Sequence, residues 1–471
     1  MTGNGSSTLR PVIIGAGPAG LAAAQAFVEA GIRPVVLEET NFAGGQGTRR
    51  LNPAIEELGS TIFGRKAYEH ALARQKQEDA VLAQCDYRSN TLAWGIYDGT
   101  ISTLSDGRHD EIAYEQLLVA IGATDRIMAV EGWQLSGVYS LGGAQVALKT
   151  HASSIGRKLV FAGSSPLLYL AAAQYARLGF TDITILDTTP AGKKYRAAFA
   201  MARYSLKTLL EGMGLIRELR AFGVRIRQGA RLIRFEGDQR VRSVAYLEKG
   251  AKRQSIECDA VAFGFGLRPE IQLAELAGAR LGFSNEFRQW FPLIDDDGRA
   301  GANLWLAGDS AAIGGADAAA ASGRLAALAM LGQHGKPIDH REVARLRARV
   351  KRLRNFQKAM AKAFLWPGEE ARHISDETYV CRCERVTAGE IRQAIGSVVA
   401  HTDVNRIKAI TRCGMGRCQG RFCSQTLQEI AISLSGKEPD AAGWLRAQAP
   451  FRPVPVSGDA GFLNQGERDG A

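Results

Sequence analysis

One motif constrains this chain more than any other. Gly15-Ala-Gly17-Pro-Ala-Gly20 follows the apolar run Pro11–Ile14 and opens an alanine-rich stretch from Pro18 to Ala30, which Gly31 stops. Strand, glycine turn and helix in that order begin a parallel α/β sheet that cradles a dinucleotide. Gly15 permits the tight turn, Gly17 lets the backbone approach a pyrophosphate, and Gly20 lets helix and strand pack closely. The helix N-terminus offers free N–H groups and a partial positive charge to phosphates. Pro18 suits the first helical turn, where its missing N–H costs nothing, and Ala19 lies beside it in the same turn. Glu38 ends the next strand, Pro34–Leu37, where a carboxylate can accept both ribose hydroxyls; Glu39 follows it. A glycine turn without a ligand is the plain alternative.

The same unit returns at 158–187. Lys158–Ala162 is apolar, Gly163 opens a turn, Pro166–Leu178 reads as a helix stopped by Gly179, and Asp182–Leu186 is a strand. Two such units predict an α/β protein with two Rossmann-like dinucleotide-binding domains. The second fingerprint is damaged: Ser165 and Leu168 stand where its glycines belong. A side chain at Ser165 crowds a pyrophosphate, and Leu168 pushes the helix off the strand. Asp187 can still hold a ribose. We expect this domain to bind no NAD(P)H productively, and to be kept for structure or for another nucleotide.

Further residues favour FAD at the first unit. Gly44-Gly45-Gln46 follows the second strand and can wrap a pyrophosphate. Gly308-Asp309 follows the strand Asn303–Ala307 and precedes a helix, so Asp309 can bind the flavin ribityl chain. Ala120-Ile121-Gly122-Ala123, after the strand Gln116–Val119, marks a crossover between domains. A disulfide reductase of this architecture needs two close cysteines beside the flavin. None lies near Gly45 or within 126–160, and the lone Cys85 and Cys258 read as small buried side chains.

Hydrophobic residues are 46% and charged residues 23%, which excludes a disordered or fibrous chain. The net charge of +11 raises nucleic acid as a partner, but no RNP-like, zinc-finger or helix-turn-helix signature supports it. No run of about 18 apolar residues predicts a membrane span. The start lacks the charged and apolar regions of a signal peptide, so a cytoplasmic location is expected.

Five of the seven cysteines fall within Cys381–Cys423, as Cys381-Arg-Cys383 and Cys413-Gly-Met-Gly-Arg-Cys418-Gln-Gly-Arg-Phe-Cys423. Four thiolates can hold a [2Fe–2S] cluster or a zinc ion. Cys413 with Cys418, and Cys418 with Cys423, share the same spacing. We assign Cys381, Cys383, Cys418 and Cys423 as ligands, because Cys423 opens an apparent helix, Ser424–Leu434, whose N-terminus favours an anionic cluster. Cys413 is then a bystander. A flavin domain alongside favours a redox-active cluster over structural zinc.

Taken together, GAGPAG, the GGQ and GD segments and CRCER…GMGRCQGRFC resemble the A, or alpha, subunits of heteromeric flavin-dependent amine dehydrogenases. That group includes octopine and nopaline oxidases, hydroxyproline and proline dehydrogenases and the B subunit of hydrogen cyanide synthase. The cysteine module itself is similar to bacterioferritin-associated ferredoxin. The resemblance implies a disulfide-reductase-like flavoprotein with a small C-terminal [2Fe–2S] domain. It implies FAD on Gly15, Gly17, Gly20, Glu38 and Asp309, and no catalytic acid or base in this chain. It further implies a partner subunit with a second FAD that oxidises the substrate C–N bond, a small third subunit and an interfacial FMN in some members, and a quinone or other acceptor. The complex would be cytoplasmic, with peripheral membrane association through its other parts. The expected layout is an FAD domain at 1–125 and 269–335, a degenerate NAD(P)-like domain at 126–268, a basic helical connector at 336–374, the cysteine domain at 375–437 and an extended tail at 438–471. Arg341 to Lys362 reads as a solvated connector helix. The rival readings are a self-sufficient NAD(P)H reductase and a non-catalytic subunit holding zinc.

Overall fold

The computed structural model describes residues 9–46, 49–248, 252–397 and 402–455. The N-terminal start and the tail beyond 455 lie outside them.

Short apolar runs with no polar alternation are what a parallel strand buried on both faces requires. Four buried runs and a polar, half-buried edge strand, Asp86–Arg88, form the first sheet, in the order Leu304–Leu306, Gln116–Val119, Pro11–Ile14, Val35–Leu37, Asp86–Arg88, all parallel. Alternate side chains sort to two cores. Ile13, Val36, Leu118 and Trp305 pack under the helices Pro18–Glu29 and Ala316–Gln333. Val12, Ile14, Val35, Leu37, Leu117 and Val119 pack against an antiparallel sheet of Thr91–Tyr97, Thr100–Ser105 and Arg108–Ala113. The two helices touch backbone to backbone: a Cβ at Gly323 would stand 1.9 Å from the Ala19 carbonyl oxygen.

The second sheet is again parallel, in the order Arg225–Gln228, Ile183–Asp187, Leu159–Gly163, Ala260–Gly264, Val138–Ser140. Its glycine helix runs Pro166–Arg177. The chain crosses between the sheets on two paired antiparallel strands, Ala123–Asp125 and Leu267–Pro269.

Helix His340–Ala363 is not the solvated connector its composition implies. Val343, Val350, Phe356, Ala359 and Ala363 form a buried stripe, because they recur at helical spacing among the basic residues. Val343 and Val350 join the core of the first sheet, and Phe356, Ala359 and Ala363 seat on Ala197 and Met201 of the helix Ala191–Ala221, while arginines such as Arg347, paired with Asp297 at 2.6 Å, point outward. The last module is a hairpin of Tyr379–Cys381 and Val386–Thr387 with helices Ala388–Ile395, Val404–Thr411 and Ser424–Ser435 around its own core. Of the expected extended tail, the described part is anchored: Phe451 is 4% exposed and its N–H bonds the Trp94 carbonyl.

Candidate flavin and iron–sulfur sites

Every strand of the first sheet runs the same way, so the turns after Ile14, Leu37, Val119 and Leu306 meet at one edge, where such sheets bind ligands. Gly15 is left-handed (φ +102°), and a Cβ there would stand 2.5 Å from the Ala120 oxygen. At Gly20 a Cβ would meet the Gly15 oxygen at 1.9 Å. Gly17 differs: its added Cβ would find only Gly45 Cα, at 3.9 Å. It caps the helix of Pro18 and Ala19 with no side chain, leaving the first-turn N–H groups for a ligand. Gly44 donates to the Ala16 carbonyl, which folds Gly45 back over the turn.

Glu38 is 8% exposed and accepts from Ala16 N–H at 2.9 Å and from Thr40 N–H and hydroxyl at 3.0 and 2.8 Å. These bonds fix its carboxylate at the strand end and leave one acceptor site, on Oε2, for a ribose hydroxyl. Asp309 accepts from Gly314 and Gly315 N–H, both on Oδ1, which leaves Oδ2 for a ligand hydroxyl. Burial raises its carboxyl above the usual range. Gly308 (φ +72°) lies on Ala19, so the Asp309 loop touches the first turn. The Gly122 carbonyl accepts from Glu270 N–H at 3.0 Å. Gln46 is exposed and accepts from Arg49 at 2.7 Å, and Glu39 stands at the rim, paired with Arg452 at 3.1 Å. The cradle at Gly17 and the free oxygen of Asp309 fit FAD.

The second fingerprint repeats the turn but not the opening. Gly163 (φ +123°) keeps the same geometry, whereas Ser165 turns its hydroxyl onto Leu167 N–H and Leu168 is fully buried. Asp187 is 0% exposed and differs from Glu38 in holding an ammonium of the chain's own. It accepts from Tyr169 hydroxyl at 2.5 Å, from Thr189 N–H at 2.8 Å and from the Lys194 ammonium. Lys194 in turn sits over the rings of Tyr169 and Phe364, at 4.9 and 4.7 Å. Leu365 N–H, just past the basic helix, bonds Thr189. The chain's own side chains fill the place a ribose would take. No sequence signal marks Lys194 for this role.

Five cysteines converge in the last module. The sulfurs of Cys381, Cys413 and Cys423 lie within 4.8 Å of one another, all buried. Cys418 contacts Cys423, and the exposed Cys383 contacts Cys418. Cys413 is thus inside the group rather than beside it, because Arg412 (φ +64°) and Gly414 (φ +94°) turn the chain inward after Thr411. The ambiguous spacing Cys413–Cys418 is its only sequence signal. Hydrogen bonds from the Cys413 and Cys423 thiols pull Cys381 down to about 2, and the Cys423 thiol leads in lowering Cys418 to about 5. Cys413 and Cys423 rise correspondingly. A buried pocket of thiols that stays partly anionic is what a soft metal centre takes. A Cβ at Gly416 would stand 2.3 Å from Cys383 Cβ, so that glycine lets the two cysteine segments close.

Buried arginines lock this module to the flavin fold. Arg268 donates to the carbonyls of Gly420 and Arg421, at 3.2 and 2.7 Å, and to Ser424. Arg126 donates to Gln425 and to the carbonyls of Phe287 and Arg288 and stacks 3.7 Å from Trp366; burial pushes it down to about 9. Arg288 grips Glu429 with two bonds of 2.7 and 2.8 Å, and Arg421 pairs with Glu270.

Comparison with known proteins agrees with this architecture. Residues 9–324 match the family model "Pyridine nucleotide-disulphide oxidoreductase", and 379–433 match "BFD-like [2Fe-2S] binding domain". The A subunit of opine oxidase from Agrobacterium tumefaciens is 32% identical, over 94% of this chain and 90% of its own. The HcnB subunit of hydrogen cyanide synthase from Pseudomonas protegens is 31% identical, over 96% of this chain and 97% of its own. Among solved structures, L-proline dehydrogenase from P. horikoshii superposes with a TM-score of 0.67 at 20% identity, over 95% of this chain and 78% of that one.

Proposed function

The chain belongs to the family of opine oxidase A subunits, built on the pyridine nucleotide-disulphide oxidoreductase fold, and from that membership we propose that it relays electrons within a heteromeric opine or amino-acid dehydrogenase. A partner flavoprotein subunit would oxidise the substrate C–N bond, and a quinone or other acceptor would take the electrons. When bound, FAD exchanges electrons singly or in pairs and the [2Fe–2S] cluster carries them singly.

The observation that carries this reading is an open first nucleotide site beside a second one closed by Asp187, Lys194 and Tyr169. A chain with an electron store, a cluster pocket and no place for a nicotinamide needs another subunit to supply its electrons. In this reading Gly15, Gly17, Pro18, Ala19 and Gly20 hold the pyrophosphate, Glu38 the ribose and Asp309 the ribityl chain. Gly45 and Gly122 line the same edge. Cys381, Cys383, Cys418 and Cys423 hold the cluster, with Cys413 as a fifth thiol among them. Arg268 and Arg126 keep the cysteine module seated against the flavin fold and exclude water between them. The chain supplies no acid or base to the C–N chemistry. Among the described residues no helix is long and apolar enough to cross a membrane.

The test is anaerobic addition of NADH and NADPH to the purified chain, followed by its flavin absorbance, with iron and zinc counted on the same sample. No bleaching, iron present, and reduction only when the partner flavoprotein and an opine or amino acid are added would support the relay. Fast bleaching would make the chain a self-sufficient reductase, and zinc without iron would remove the cluster.

A further inference from the structure

Four segments far apart in sequence meet beside Glu39, the residue after Glu38. Arg421 lies between Cys418 and Cys423, is 7% exposed, and pairs with Glu270, itself 5% exposed, at 3.1 Å. Glu270 N–H holds the Gly122 carbonyl, next to the Gly15 turn. The Arg421 guanidinium also donates to the Cys418 carbonyl at 3.3 Å and sits 5.3 Å from the Phe451 ring. Phe451 is buried in the core of the first sheet, and Arg452 reaches Glu39 at 3.1 Å. Arg421 Nη2 is buried and has no partner among the described residues, and the same holds for Arg452 Nε. A buried guanidinium N–H left without an acceptor costs about 1–3 kcal/mol. A ligand acceptor placed there would remove that cost, and Glu38 and Glu39 mark the neighbouring ground as the adenosine end of the FAD site.

We infer that Arg421, Phe451 and Arg452 belong to the FAD site. They close its adenosine end, and Arg421 couples FAD binding to the cluster loop that carries it. The inference rests on the reading of Gly15, Gly17 and Glu38 as the FAD site. Arg421 is a positioning residue here: its backbone belongs to the cluster loop and its side chain to the flavin wall. Coupling of this kind is reciprocal, so FAD would also settle the cluster loop.

The experiment uses the full chain, freed of FAD with its cluster retained, and titrates FAD back. Flavin fluorescence gives Kd, and visible circular dichroism of the cluster is read at each point. Arg421→Ala should weaken FAD binding about ten-fold or more, the size of a lost hydrogen bond to a charged group. Arg421→Lys should recover part of it. Arg452→Ala should cost about two- to five-fold. In the unaltered protein the cluster dichroism should change as FAD binds, and in Arg421→Ala that change should vanish. Equal Kd values for the unaltered protein, Arg421→Ala and Arg452→Ala would overturn the inference. Should Arg421→Ala fail to fold, Arg452→Ala, outside the cysteine module, decides it alone. An unaltered protein that takes up no FAD would instead overturn the reading of the site itself.

Discussion

The closed second nucleotide site makes a quantitative prediction. Asp187 is 0% exposed and Lys194 only 17%, so Lys194→Met leaves a buried carboxylate without its cation. Breaking a buried pair from one side costs about 3–5 kcal/mol. The lower end applies, because Tyr169 hydroxyl and Thr189 N–H still donate to Asp187, and Met keeps most of the contact with Tyr169 and Phe364. We therefore expect a loss of about 3 kcal/mol, or about 3 °C in Tm if the 471 residues unfold together. The double variant Lys194→Met, Asp187→Asn removes both charges and should recover most of the loss. Urea unfolding followed by far-ultraviolet dichroism measures all three. A single variant within about 0.5 kcal/mol of the unaltered protein would refute the claim that this pair fills the site under load. Neither variant should gain NAD(P)H binding, since Ser165 and Leu168 remain.

Four other outcomes are open to measurement. Gly17→Ala should fold normally, since its Cβ meets only Gly45 Cα at 3.9 Å, yet purify with little FAD; Gly20→Ala, 1.9 Å from a backbone oxygen, should lower Tm instead. Cys413→Ser should keep its iron and visible absorbance, whereas Cys418→Ser should lose both. Lys149 is 5% exposed, and burial, with Arg49 nearby, pushes it from 10.5 down to about 8. Between those values the unfolded lysine holds its proton and the folded one sheds it, so stability should rise by about 3 kcal/mol with pH across that window; Lys149→Met should flatten the rise in urea midpoints. Gly416→Ala should keep the fold of the flavin part but lower iron content, because its Cβ collides with Cys383.

The parallel core is legible because its signals are local. Pro11–Ile14 and the helix from Pro18 can be placed to within a residue, since an apolar run, a glycine turn and an alanine helix lie within twenty positions. The second unit shifts by only one residue at its strands for the same reason. Thr91–Ala113 carries no such signal: its Thr, Ser and Gly residues blur the alternation that marks an antiparallel sheet. The helix Ala191–Ala221 escapes a sequence reading because Gly192, Gly212 and Gly214 lie within it and few of its residues are buried. At the sites, the difference between local and distant partners decides everything. The motif glycines, Glu38 and Asp309 announce themselves by position. Arg268 gripping Gly420 and Arg421 meeting Glu270 are created by the fold, across about 150 positions, whereas Lys194 closes Asp187 from seven positions away, through a turn into a helix that no motif announces. Cys413 shows the intermediate case: its spacing raises the question, and only the left-handed turn at Arg412 sets its sulfur among the others.

The order of strands in the first sheet has a consequence for how the protein is made. Its edge strand Leu304–Leu306 pairs with Gln116–Val119, about 185 positions earlier in the chain. At about 10 residues per second, synthesis leaves the earlier strand with an open edge for about 20 s. Asp309, the residue proposed for the ribityl chain, also arrives only then, and the cysteines arrive later still. The glycine cradle, Glu38 and Asp309 are therefore all translated before the first of the clustered cysteines, and the proposed closure at Arg421 has to wait for that module. Stalled nascent chains would display that sequence directly. Those ended before Leu304 should retain no FAD, and those ended after helix His340–Ala363 should retain it without iron, more weakly than the full chain does.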